Sequence, residues 1–122
     1  MKVLLLVAHG SRRKEANAEV FELAEQLRCS DSVNADLIHT AFLNMAYPSI
    51  PDGIAKCIED GATSITLIPY FLNSGRHVIS DIPDIVKEAR QQHPDVSIRI
   101  APHLGQSGLM AELLIKIVNL LS

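Results

Sequence analysis

Residues 2–29 read "KVLLLVAHGSRRKEANAEVFELAEQLRC", and the change of pattern at His9 decides the architecture. Up to Ala8 the side chains are aliphatic without a break. That run is too short for a helix and fits a strand buried on both faces. Past "HGS", Ala16, Val20, Leu23, Ala24 and Leu27 recur at helical spacing with charges on the other side. Strand 2–8 therefore feeds a helix over 13–29, for which Ser11 is the expected N-cap.

The same unit recurs along the chain. "VNADLIHTAFL" (33–43) is the second strand, followed by a helix that Pro48 or Pro51 opens and Gly61 closes. "SITLIPYFL" (64–72) is the third and most β-branched strand. A helix over 78–92 follows, with Pro83 early in it, where a kink or a delayed start is expected. "VSIRIAP" (96–102) is the fourth strand, and "SGLMAELLIKIVNLLS" (107–122) is a Leu- and Ile-rich amphipathic helix. Alternating strands and helices imply right-handed crossovers, hence a three-layer α/β sandwich around a four-stranded parallel sheet. The expected strand order is 2-1-3-4, in a single domain over 1–122.

Composition narrows the function. The net charge of −3 and the lack of a basic tract give no reason to expect nucleic acid. No window approaches the ~20 apolar residues of a membrane span. The opening apolar run is about six residues, short of a signal peptide's 7 to 15. Cys29 and Cys57 form no CxxC pair, which fits a reduced, cytoplasmic setting with both thiols buried or half-buried.

In a parallel sheet every strand-to-helix loop gathers at one edge, and ligands bind there, where strand order reverses. The loops carry His9, Gly10, Ser11, Arg12 and Arg13 after strand one, and Asn44, Met45 and Tyr47 after strand two. Asn73, Ser74, Gly75, Arg76 and His77 follow strand three; His103, Gly105, Gln106 and Ser107 follow strand four. Order 2-1-3-4 makes the His9 and His77 loops neighbours. Two imidazoles can hold a divalent metal or accept a proton near neutrality. A site with so few ligands is open, unlike a closed four-ligand cage. Gly10 and Gly75 allow close backbone approach, while loop amides at Ser11, Ser74–Gly75 and Ser107, with Arg12, Arg13 and Arg76, favour anions. Taken singly, either histidine reads equally well as a solvated loop residue. Asp81 and Asp84 read either as histidine-orienting groups or as first-turn acids. "AHGSR" is also similar to the RHG of histidine phosphatases, but Ala8 stands where their arginine would be.

"VAHGSR", "AFLN" followed by "PSI", "LIPYFLNSGRHVISDIP" and "PHLG" resemble, nearly end to end, the short single-domain form of the sirohydrochlorin cobaltochelatase family, the class II chelatases. The resemblance implies a chelatase-like α/β sandwich that inserts a divalent metal (Co2+, alternatively Fe2+ or Ni2+) into sirohydrochlorin, without a permanently bound cofactor. It implies His9 and His77 as catalytic metal ligands. On that reading Gly10, Ser11, Asn44, Gly75 and Arg76 are expected to line the tetrapyrrole site, and the resemblance implies that two copies pair as a homodimer. One departure stands out. The family commonly has an acidic residue where this chain has Asn44, and His103 is a candidate substitute. A non-catalytic carrier of metal or tetrapyrrole is the alternative reading.

Overall fold

The computed structural model describes residues 1–72 and 75–122, of which 76–79 are described by backbone alone. Four strands, β1 (Lys2–Ala8), β2 (Leu37–Phe42), β3 (Ser64–Pro69) and β4 (Ser97–Ile100), alternate with four helices, α1 (Lys14–Arg28), α2 (Ile50–Glu59), α3 (Arg76–Gln92) and α4 (Leu109–Leu120). A 3-10 turn, Leu104–Gln106, precedes α4. The strands are all parallel and lie in the order β2-β1-β3-β4. The expected architecture and order are therefore those observed.

Element boundaries moved for local reasons. β2 begins at Leu37 because Asp36 closes its entry, its carboxylate accepting from the Lys2 amide at 2.8 Å while its own amide donates to the Lys2 carbonyl. β3 ends at Pro69, which has no N–H to offer a ladder. Ser11 does not cap α1; Arg13 occupies that position without a side-chain cap. Ser49 caps α2, accepting from the Asp52 amide at 3.2 Å, with Pro51 in the first turn. α3 starts at Arg76, ahead of the expected 78, and runs through Pro83.

The sheet's period-two alternation divides the core. Val3, Leu5, Val7, Ile65, Leu67 and Ile98 face α2 and α3, where Ile54, Cys57, Ile82 and Val86 meet them. Leu6, Ala8, Ile38 and Phe42 face α1 through Val20 and Ala24. Two arginines close the helix ends over the edge strands. Arg28 forks onto the Ile38 carbonyl of β2 at 3.1 and 2.7 Å, and Arg90 onto the Ile98 carbonyl of β4 at 3.0 and 2.6 Å. Both cysteines are free. Cys57 is buried as expected, but Cys29, just past the end of α1, is exposed.

Candidate functional site at the strand ends

Backbone hydrogen bonds lock the exits of β1, β2 and β3 together. The Leu43 amide donates to Ala8 at 2.9 Å, Asn44 to His9 at 3.0 Å and Tyr70 to Val7 at 2.7 Å. Gly10 makes this possible. Its φ of +90 is left-handed, and a Cβ there would lie 1.8 Å from the Asn44 carbonyl oxygen. Gly10 and Asn44, predicted from different loops, are thus in direct apposition.

His9 is exposed, and its ring packs on Phe71 at a centroid distance of 4.3 Å with the planes tilted by 47°. This contact joins the β1 exit to the β3 exit, the place where strand order reverses. Phe71 itself is buried, so it is a fixed wall that limits the imidazole's swing. Sequence reading counted Phe71 as part of the third strand; the signal for its role was only its position beyond Pro69.

His77 and Arg76 fall in the first turn of α3, preceded by Gly75 at its N-cap. Their side chains, with all of Asn73 and Ser74, lie outside the described residues, and so does the expected pairing of the two imidazoles. Among the described residues no group of three His, Cys, Asp or Glu could hold a metal ion. His103 stands at the N-cap position of the 3-10 turn beyond β4 without a side-chain capping bond, and is half-buried.

The Ser11 turn is organised by a residue that sequence reasoning passed over. Asn17 accepts from the Ser11 amide at 2.9 Å and donates to its carbonyl at 2.8 Å, while the Ser11 hydroxyl accepts from the Arg13 amide at 3.0 Å. The Ser11 amide expected to face an anion is therefore already engaged. Its O–H remains as a donor. Beside it, Ser11, Arg12, Lys14, Asn17, Phe21 and Tyr47 line, with Met45, an open cavity of about 440 Å³. Met45 holds a left-handed φ of +64. Met45, Tyr47, Tyr70 and Leu72 are all exposed, an apolar rim beside two cationic side chains.

Fold and mouth place the chain in one class. It is an open, parallel α/β protein, a class in which ligands bind at the carboxyl ends of the strands where strand order reverses, here between β1 and β3. Within that class the chain belongs to the CbiX family, whose model matches residues 3–119. It is 30% identical over 119 residues to the sirohydrochlorin ferrochelatase of Priestia megaterium, covering 98% of this chain and 44% of that one. The chain thus spans less than half of that relative's length. The crystal structure of a cobalamin (vitamin B12) biosynthesis CbiX protein from Marinobacter aquaeolei VT8 superposes with a TM-score of 0.80 at 25% identity, covering 98% and 95% of the two chains. The sirohydrochlorin chelatase SirB of Bacillus subtilis subspecies spizizenii, solved in complex with cobalt, gives 0.82 at 27% identity, covering 97% of this chain and 50% of SirB.

Proposed function

We propose that this protein inserts a divalent metal into sirohydrochlorin. The observation that supports it most is His9, an exposed imidazole held by Phe71 at the β1/β3 switch point, in a chain of the CbiX family. Cobalt and iron are both candidate metals, since relatives named for each are similar to this chain, and nickel is retained as a third.

Insertion exchanges one M2+ for two pyrrole N–H protons, so the site must hold the metal weakly and receive protons. His9 and His77 act as the metal's ligands, one imidazole accepts one pyrrole proton as the metal leaves it, and the second proton passes to solvent water at the open mouth. Gly10, Ser11, Asn44, Gly75 and Arg76 line the tetrapyrrole, and the arginines meet its peripheral carboxylates as forked donors. The exposed apolar rim suits a flat macrocycle. Two copies associate as a homodimer. The protein works in the cytoplasm; no described helix is long and apolar enough to cross a membrane.

Mixing purified protein with sirohydrochlorin and cobalt(II), and following the visible spectrum, tests the proposal. The expected result is insertion well above the spontaneous rate. A rate equal to the spontaneous one with cobalt, iron and nickel alike removes the enzyme reading. Asn44 supports a second reading, a carrier of metal or tetrapyrrole, because an exposed amide at the mouth supplies neither charge nor a proton acceptor. A carrier binds in titrations without accelerating insertion. Activity appearing in Asn44→Glu identifies a chelatase that has lost its acid.

A further inference from the structure

The strand exits are closed by a glycine on each side of the switch point. Gly10 joins the exits of β1 and β2. The second closure lies where the turn after β4 meets the exit of β3. Pairing of β3 with β4 finishes as the Ala101 amide donates to the Leu67 carbonyl at 2.9 Å. The chain then folds back in the Leu104–Gln106 turn, in which the Gln106 amide donates to His103 and the Ser107 amide to Leu104, both at 3.0 Å. Within that turn the Gly105 amide donates to the Phe71 carbonyl at 3.1 Å, and the Gly105 backbone is pressed against Leu72. A Cβ there would lie 1.7 Å from the Leu72 carbonyl oxygen and 2.7 Å from its carbon. No side chain fits, although the residue is exposed to solvent on its other side. A Cβ on Gly108, in the same connection, would meet nothing within 4 Å.

Phe71 depends on this tether. Pro69 ends the β3 ladder, and the Tyr70 amide turns to Val7 of β1 at 2.7 Å, so the backbone past Tyr70 lies beyond strand pairing. Gly105 holds it from the β4 side. The buried Phe71 ring in turn carries the His9 ring at 4.3 Å. Among the described residues no side-chain hydrogen bond fixes the exposed His9 imidazole, which leaves Phe71 as its wall. The path from turn to imidazole is short and has little slack: amide to carbonyl, backbone to ring, ring to ring. The segment braced by Gly105 also leads to His77 in the first turn of α3.

We propose that Gly105 is a positioning residue for the metal-binding imidazole. Its backbone, seated on Phe71 and Leu72, sets the place of the Phe71 ring and through it that of His9. The role in metal insertion rests on the chelatase reading above. A Cβ at this position drives the β3 exit away from the turn, and the His9 wall moves with it. Misplacement of a reacting group by about 1 Å costs on the order of 100-fold in rate.

NMR of the full chain reads the ring position directly. Phe71 shifts the His9 ring protons away from their free-imidazole values. That shift is expected to shrink in Gly105→Ala and in Phe71→Leu, and to survive in Gly108→Ala. The cobalt(II) insertion assay gives the second readout. Gly105→Ala loses about 10- to 100-fold in kcat, with KM for sirohydrochlorin held within about twofold, while Gly108→Ala matches the wild type. Phe71→Leu falls in the same range. The double variant is no worse than the more impaired single one, because both act through one ring. Circular dichroism checks that each variant keeps a cooperative melt. If Gly105→Ala does not fold, Gln106→Pro takes its place: it removes the amide that bonds His103 at an exposed position and adds no bulk against Leu72. The same losses are expected of it. Unchanged His9 shifts and kcat in the turn variant, or losses that add in the double variant, overturn the proposal. A wild type that inserts no metal removes the chelatase reading and the kinetic role with it, and the His9 shifts then decide by themselves whether Gly105 places the ring.

Discussion

His9, Gly10 and Asn17 carry the mouth of this protein, each by a different physical means. His9 supplies the imidazole, and its replacement in His9→Ala should lower the insertion rate about 100-fold or more, read in the spectral assay, with little change in melting temperature. Gly10→Ala should act the other way round. A Cβ 1.8 Å from the Asn44 carbonyl, at a left-handed φ, forces the β1 and β2 exits apart, costing about 3 kcal/mol in chemical denaturation and displacing His9 with them. The two thiols also separate at this scale. Burial, and then the charge of Asp60, push Cys57 up to about 12 from its ordinary 9.0. The native state therefore keeps the Cys57 proton after the unfolded chain has lost it, so stability falls as pH rises above about 9, with a slope approaching ~1.4 kcal/mol per pH unit. Cys57→Ser should flatten that slope in urea titrations between pH 8 and 11. Cys29 should react with a thiol reagent in the native state and Cys57 only on unfolding.

At the level of elements, packing sets results that local propensity alone would get wrong. Gly53 lies in α2, where alanine is ordinarily the better helix former by about 1 kcal/mol. Here a Cβ would stand 2.8 Å from that of Ala41 in β2. Gly53→Ala is expected to destabilise by about 1–3 kcal/mol through overpacking, a sign that thermal denaturation decides directly. The same logic explains the boundaries. Hydrophobic pattern located every strand and helix, but their ends were set by single groups: Asp36 on Lys2, the missing amide of Pro69, and Asn17 bracketing Ser11. Those bonds join residues far apart in sequence or depend on loop path, so no periodicity announces them.

For the whole molecule, the proposed homodimer predicts a stability that depends on protein concentration. The melting temperature should rise with concentration across the micromolar range, as it does when folding is coupled to association; a melting temperature independent of concentration contradicts a dimer. The gathering of the loops at one edge was legible as well. His9, Gly10 and Asn44 were picked out from separate loops, and the parallel sheet brings those loops to one edge. Phe71 as the wall behind His9, and Asn17 as the brace of the Ser11 turn, were not legible, because a ring contact and a side-chain bracket leave no trace in spacing.

The sequence by itself determined the alternation of aliphatic strands and amphipathic helices, and with it the parallel sheet, the β2-β1-β3-β4 order and the edge where the loops collect. Hydrophobic periodicity and crossover handedness are local rules that act on any chain with this pattern. Only the tertiary structure decided that Gly10 is pinned beneath Asn44, that His9 rests on Phe71, and that no residue of α4 is buried. Those outcomes depend on which distant surfaces meet, and steric exclusion between them is a property of the folded chain.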